Sequence, residues 1–350
     1  MQLLITVAVL AACSSSSEED LLPTSPTGEG HVVHIVSYAP GYETGTGTGT
    51  GSAVTRSAPS GYSAYVPEKV AEMGIYMLLP EDYAAPNVPT EQLIKYDGSK
   101  WHAYFSVDRD KTYTVYGYLP KGEGMVSSLS KSTANAATLT ITGMKPITPD
   151  DICIITGVKE TDNGLQEGYF SWYQSVTNDD YYIYMLLNHL YASLRFSMKV
   201  DAEYAQLRTI KLKSMKLQAD VASVGATVSL THKGTGTGTV MEVSYTGTAG
   251  SFETEIFSDD EGTALSSQTE TFINTCFAPT QSDKLTLVTT YDVYDRYGNL
   301  IRKDRTVTNK LPNLDALRGY RVQLNLTVNP TYLYVLSDPD LDAPTVSIGN

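Results

Sequence analysis

Apolar and polar residues alternate along much of this chain, which is the pattern of half-buried β-strands. In residues 319–330 one face of the predicted strand carries four apolar side chains: Val322, Leu324, Leu326 and Val328. Residues 193–200 repeat the pattern with Leu194, Phe196, Met198 and Val200. The period of two predicts that both segments are strands that line a core.

The remaining apolar segments also predict short strands, because each ends near proline, glycine or aspartate. His31–Tyr38 is rich in β-branched residues and apolar on both faces, as in a strand buried on two sides. Further strands are predicted at residues 69–80, 100–107, 111–120 and 136–144. Residues 284–307 are predicted to form a strand, a turn at Tyr297–Asn299 and a charged return strand. One helical turn is predicted at residues 314–319, ended by Gly319. This spacing indicates a β-sandwich or a partly open barrel.

Composition supports a mostly β protein with about two domains. The chain has 350 residues, of which 41% are apolar and 25 are tyrosines. Its net charge of −14 provides no basic surface for phosphates, which argues against nucleic-acid binding.

No motif in the sequence predicts catalysis. The five histidines form no metal-ligand pattern, and neither a nucleophile elbow nor a phosphate-binding loop is present. Cys153 and Cys276 lie in apolar segments and are expected to be two separately buried thiols, with a disulfide or a reactive thiol as alternatives. We therefore expect a protein that is not an enzyme and that needs no cofactor and no metal.

The N-terminal segment has the features of an export signal. Leu3–Ala12 is almost entirely apolar, too short to span a membrane but suited to the apolar region of a signal peptide. Because only Met1 and Gln2 precede it, the true start is expected upstream. Leu10–Ala12 followed by Cys13 resembles the lipobox of bacterial lipoproteins, and the serines and acids after it resemble the export tether of Bacteroidetes lipoproteins. This resemblance implies a signal peptide at residues 1–12 and a flexible tether at 13–30.

A protease site is predicted after the first strand. Thr44–Gly51 alternates threonine and glycine, which cannot pack a core, and is expected to form a flexible loop. Arg56 and the small residues that follow it are expected in an exposed, extended segment, which a protease needs to reach the backbone.

The chain continues well past the strand that ends near Val328. The apolar residues of this tail are Leu333, Val335, Leu336, Val346 and Ile348. Two interpretations remain open for residues 331–350. The tail is a donor strand for another subunit, or it completes the sheet of its own domain, as Pro339 and Pro344 favour.

Taken in order, these segments resemble the fimbrillin-like subunits of Bacteroidetes type V pili. The resemblance rests on the lipobox, the tether, the "AVTRS" at Ala53–Ser57, the "LLNHLYASLRFSMKV" at Leu186–Val200 and the "LRGYRVQLNLTV" at Leu317–Val328. It implies an all-β fold of two transthyretin-like β-sandwich domains in tandem, at residues 31–165 and 166–350.

The resemblance also implies a sequence of export, cleavage and assembly steps. The precursor is an outer-membrane lipoprotein that carries a lipid such as palmitate on Cys13. An Arg-specific protease cuts between Arg56 and Ser57, and residues 31–56 leave with the first strand. Other pilus subunits then fill the vacated groove by strand exchange, and the product is a cell-surface fimbrium.

Two alternative functions would account for different features of the sequence. One is a lipid-anchored pilus anchor or tip adhesin that is never cut. The other is a glycan-binding surface lipoprotein, or a glycan hydrolase, that stacks sugars on aromatic residues such as Tyr169 and Tyr173.

Overall fold

The computed structural model describes residues 31–42, 54–57, 59–65, 71–78, 89–104, 112–133, 136–159, 173–175, 182–232, 239–332 and 339–348. Cys13, the Thr-Gly run at 44–51, Tyr169 and residues 333–338 lie outside these ranges. Nothing in the described ranges forms a helix that is long and apolar enough to cross a membrane.

The described residues are almost entirely strands, which confirms the all-β prediction. The strands are β1 (His31–Tyr42), β2 (Val54–Ser57), β3 (Pro59–Tyr65), β4 (Ala71–Leu78), β5 (Gln92–Tyr96), β6 (Trp101–Ala103), β7 (Thr112–Leu119), β8 (Val126–Thr133), β9 (Ala136–Met144), β10 (Ile147–Thr148), β11 (Cys153–Lys159), β12 (Tyr173–Ser175), β13 (Tyr182–His189), β14 (Ala192–Val200), β15 (Arg208–His232), β16 (Thr239–Ala264), β17 (Thr271–Phe277), β18 (Thr286–Asp295), β19 (Leu300–Lys310), β20 (Arg321–Tyr332) and β21 (Pro339–Ile348).

A single α-helix and one short 3-10 turn accompany these strands in the described ranges. Helix α1 (Ala202–Leu207) begins where the Asp201 carboxylate accepts hydrogen bonds from the backbone N–H groups of Glu203 and Tyr204. The 3-10 turn is Pro279–Gln281.

The helical turn predicted at residues 314–319 is wrong. This segment is not helical: Leu314 and Ala316 are both buried, and both backbone N–H groups bond to Ser282. Burial of alternate side chains overrides the weak helical preference of this short sequence.

The described strands form three sheets. The first has nine strands in the order β11-β13-β1-β6-β5-β4-β7-β12, with β3 on β1, and it closes on itself because β11 also pairs with β7. The second has the order β10-β17-β14-β20-β2, with β21 on β20. The third has the order β19-β18-β15-β9-β8, with β16 on β15.

Each sheet faces a hydrophobic core. Side-chain alternation along β4 sends Met73 and Ile75 into a first core inside the first sheet, whereas Tyr76 and Leu78 enter a second core between the first and third sheets. A third core lies between the second and third sheets. Into it project the alternating residues predicted on β14 and β20, Leu194, Phe196, Met198, Val200, Val322, Leu324, Leu326 and Val328. The cores thus follow the period-two pattern of the sequence.

The third sheet extends across the boundary predicted between residues 165 and 166. Strand β15 has 25 residues, long enough to line two cores in succession. Its first half enters the third core through Ile210 and Leu212, and its second half enters the second core through Val228 and Leu230. Two tandem transthyretin-like domains are therefore not confirmed.

Hydrogen-bond ladders link strands from both sides of that boundary. Strand β9 precedes it and pairs with β15, and β13 follows it and pairs with β1 and β11. The division at residue 165 stays a prediction.

Candidate functional site

Strand β1, the predicted removable strand, has hydrogen-bonded neighbours on both of its edges. On one edge His34–Tyr38 pairs in parallel with β13. On the other edge His31–Val33 pairs with β6 and Ser37–Tyr42 pairs with β3. Its removal would leave unpaired backbone groups on the strands at both sides of the gap.

Both faces of β1 contact apolar residues. Val33, Ile35 and Ala39 pack in the first core, and Val33 is only 3% exposed. Val36 and Tyr38 pack on the opposite face against Leu186 of β13. The structure thus bears out the prediction of a strand with apolar contacts on its two faces.

The chain leaves the first sheet after β1 and returns to the same place. Tyr42 at the end of β1 is the register partner of Pro59 at the start of β3. The segment that joins them, residues 43–58, therefore begins and ends at adjacent positions of the first sheet. A backbone cut within it would separate β1 from β3 without breaking any other chain connection.

Arg56 lies in β2, on the segment that joins β1 to β3. The segment is extended, as predicted, but Val54–Ser57 pairs with β20, and Arg56 is the register partner of Val322. Cleavage after Arg56 stays a prediction. A protease binds its substrate as a separate extended strand, so β2 must first leave β20.

The C-terminal tail pairs with the same strand. In β21, Val346 pairs with Val328 and Ile348 with Leu326. Val346 is buried in the third core, and Ile348 packs against it. In the isolated chain this part of the tail completes its own sheet, which was the second of the two interpretations. The other donor candidates, Leu333, Val335 and Leu336, lie outside the described residues.

Strands β2 and β21 share one edge of β20. The opposite edge of β20 pairs in parallel with β14 along residues 321–328. On the shared edge β2 covers Arg321–Leu324 and β21 covers Leu326–Tyr332. The structure thus brings the predicted cleavage segment and the predicted donor tail end to end on a single strand.

A cluster of three polar residues, two of them buried and one partly buried, lies where β1, β11 and β13 meet. Cys153 and His189 are register partners on β11 and β13, and Asp151 immediately precedes β11. The Cys153 Sγ lies 3.8 Å from both His189 Nδ1 and Asp151 Oδ2. His189 Nδ1 also hydrogen-bonds to Asp151 Oδ2, and Nε2 bonds to the backbone carbonyl of Pro40 in β1.

Burial and neighbouring charges shift the pKa values of this cluster. Burial lowers the pKa of His189, but the hydrogen bond and charge of Asp151 and the Pro40 carbonyl outweigh it, so that the pKa rises. Burial, followed by the charge of Asp151, raises the pKa of the Cys153 thiol. Asp151 thus contributes to the raised pKa of both side chains.

The cluster does not have the geometry of a Cys-His-Asp catalytic triad. In a triad the nucleophile and the carboxylate bind different nitrogens of the imidazole. Here Cys153 and Asp151 both face Nδ1, while Nε2 bonds to Pro40. His189 in this arrangement cannot activate Cys153 as such a triad does.

Sequence reasoning missed this cluster. It treated Cys153 as a buried thiol, and Cys153 and Cys276 are indeed both buried and form no disulfide with each other. The available signal was the Asp-x-Cys spacing, which places two side chains on one side of extended backbone. The contribution of His189 was hidden by the 36 residues that separate it from Cys153.

Of the aromatic residues suggested for sugar binding, Tyr169 lies outside the described residues. Tyr173 lies in β12, which pairs with β7. The largest fully buried side chains of the described ranges include six tyrosines, Tyr76, Tyr116, Tyr118, Tyr191, Tyr204 and Tyr291. These tyrosines serve core packing.

No protein-family model matches the chain, and no curated protein matches its sequence. Solved structures do match. A fimbrial protein from Bacteroides vulgatus has 15% identity and a TM-score of 0.38, over 81% of this chain and 92% of that one. The structural neighbours include fimbrial proteins.

Two further neighbours are a fimbrial protein and a fimbrial anchor protein. A fimbrial protein from Bacteroides ovatus has 11% identity and a TM-score of 0.34, over 85% of this chain and 48% of that one. The fimbrial anchor protein Mfa2 from Porphyromonas gingivalis has 13% identity and a TM-score of 0.24, over 89% of this chain and 95% of that one. At these identities and TM-scores the likeness assigns no function to this chain.

Proposed function

We propose that this chain is a structural subunit of a cell-surface type V pilus. In this proposal it is exported as an outer-membrane lipoprotein through Cys13, cleaved after Arg56 by an Arg-specific protease, and polymerised with other pilus subunits by strand exchange. The observation that carries the proposal is the position of β1, a strand paired on both edges and joined covalently to β3 through the segment that contains Arg56.

Cleavage would change how β1 is held. After a cut between Arg56 and Ser57, β1 would remain attached to the body by hydrogen bonds and packing alone. Burial of side chains such as Val33 and Tyr38 contributes about 1.5–3 kcal/mol each, so spontaneous release would be slow. An incoming strand that replaces these contacts as β1 departs would lower this barrier.

The gap left by β1 has the properties of a strand-binding groove. Its edges would be β13 on one side and β3 and β6 on the other, with backbone N–H and C=O groups in register for a new strand. Its floor would be the first core, which includes Met73, Ile94 and Leu187. A donor with apolar residues at alternate positions fits this groove.

The tail of a neighbouring subunit is the proposed donor. Val346 and Ile348 are two residues apart in β21 and therefore lie on one face, as a donor strand requires. To act as a donor the tail must leave β20, where it pairs in the isolated chain. Departure of β2 would uncover the adjoining edge of β20 at Arg321–Leu324 and would leave the pairing of β20 with β21 intact.

An uncut pilus anchor or tip adhesin is the second candidate. The pairing of β2 with β20 favours it, because that pairing keeps the backbone at Arg56 in a sheet. The two candidates differ in their mature N-terminus, which is Ser57 for the subunit and lipidated Cys13 for the anchor.

Treatment of the purified full chain with an Arg-specific protease should produce a new N-terminus at Ser57. Unboiled samples should then form a ladder of oligomers on denaturing gels, which collapses to one band after boiling. The R56K variant keeps the positive charge but removes the recognition residue, so it should resist the cut and stay monomeric. N-terminal sequencing and paired gels provide the measurement.

The R109K variant is the matched control, because it changes the other arginine of the N-terminal half. It should be cut at Arg56 and form the ladder as the parent chain does. If the protease leaves Arg56 intact, or if the cut chain stays monomeric, the subunit proposal is wrong. Mature surface protein that retains Cys13 would support the anchor.

A further inference from the structure

We propose that Asp151, Cys153 and His189 form a binding site for a divalent transition-metal ion of borderline softness, of the Zn²⁺ class. The site lies at the junction of β1, β11 and β13 and does not depend on the proposed pilus function. Three side chains of different ligand types converge there within 4.8 Å of one another.

The donor set and its spacing suit zinc. Zn²⁺ binds thiolate sulfur at about 2.3 Å and imidazole nitrogen or carboxylate oxygen at about 2.0–2.2 Å. Ligands at these lengths around a tetrahedral ion lie roughly 3.3–3.8 Å apart. The two distances of 3.8 Å from Cys153 Sγ agree with this spacing. The hydrogen-bonded atoms Nδ1 and Oδ2 would move apart to admit the ion.

Charge balance also favours a divalent ion. A Cys153 thiolate and an Asp151 carboxylate carry two negative charges, and a neutral His189 adds none. A divalent cation would make this buried group electrically neutral, which limits the cost of removing charges from water. His189 and Asp151 are nearly buried, with side chains 6% and 10% exposed.

The surroundings of His189 resemble the outer shell of a metal site. A histidine that binds metal through one ring nitrogen commonly donates its other N–H to a backbone carbonyl, which fixes the ring. Here Nδ1 faces Cys153 and Asp151, and Nε2 bonds to the Pro40 carbonyl at 2.5 Å. The two strands that carry Cys153 and His189 are paired directly, so the ligands stand on a rigid support.

Three protein ligands leave one position of a tetrahedral site. The second oxygen of Asp151 or a water molecule would complete it. Because the Pro40 carbonyl belongs to β1, an ion in this site would also fix the ring that contacts β1.

Titration of the purified full chain with Zn²⁺ after removal of metals tests the site. All samples carry C13S, because Cys13 is a third thiol. We expect one equivalent of Zn²⁺ by calorimetry and, with Co²⁺ as a spectroscopic probe, a thiolate-to-cobalt charge-transfer band. The C153S and D151N variants should lose the band or bind Zn²⁺ at least about 10–100-fold more weakly.

The C276S variant is the matched control, because it removes the other buried thiol of the described chain. It should bind both ions as the parent does. Circular dichroism of every variant measures whether the fold is retained. We expect that it is, because serine and asparagine nearly preserve the shapes of the residues they replace. If the parent chain binds neither ion, or if C276S loses binding as completely as C153S, the three residues are only a hydrogen-bonded cluster.

Discussion

Substitution of Val33 by aspartate should destabilise the protein by about 3–5 kcal/mol, one of the two largest effects expected for a single change. Val33 is 3% exposed and packs in the first core beside Ile94 and Trp101. A carboxylate there would be buried among apolar side chains, with its charge unpaired. The measurement is the free energy of unfolding from urea denaturation monitored by fluorescence.

The H34D variant is the control for V33D. His34 is the next residue of β1, and its side chain is exposed on the opposite face. The same new charge at this position should change the free energy of unfolding by less than about 0.5 kcal/mol. Equal losses in the two variants would show that β1 does not place Val33 in the core.

The V33D variant also bears on assembly. A weakened β1 should leave its place more readily after cleavage, so that oligomers form faster than in the parent chain. The rate of ladder formation on unboiled gels measures this effect. A slower rate would argue that β1 release does not limit assembly.

Truncation of Phe196 to alanine should cost about 3–5 kcal/mol of stability. Phe196 lies in β14, is fully buried, and packs in the third core between the second and third sheets. Its removal leaves a cavity that the surrounding strands cannot fill without breaking their register. Chemical denaturation of the purified variant measures the loss.

The F272A variant provides a control of identical chemistry on the paired strand β17. Phe272 is 43% exposed and contacts the Arg195 guanidinium, 3.8 Å from the ring centroid. Its loss should cost only about 0.5–1 kcal/mol, the range for an exposed cation–π contact. A loss in F272A as large as in F196A would contradict the assignment of the core face of the second sheet.

Local pattern predicted most of the strands that the structure contains. Strand β9 covers the predicted residues 136–144, and β4, β7, β14, β18 and β20 overlap their predicted segments. These predictions depend only on side-chain alternation and turn residues, which are local properties of the chain. The helical turn near Leu314 failed because its evidence was a short propensity signal without a pattern of burial.

Local pattern did not predict which strands pair with one another. No local pattern indicates that β13 pairs with both β1 and β11, or that β15 pairs with both β9 and β18. Any apolar strand face can pack against many others, so the choice among them depends on the energy of the whole fold. The predicted division near residue 165 follows composition and does not separate the ladders.

The sequence by itself determined the class of the fold, the apolar faces of its main strands and the two-sided apolar character of β1. Tertiary structure alone decided that Arg56 lies in a strand on β20, that Val346 and Ile348 cover the same edge, and that Asp151, Cys153 and His189 meet. The alternation of apolar and polar residues is a property of neighbouring positions and can be read before the fold is known. Contacts between residues far apart in sequence exist only once the sheets have formed.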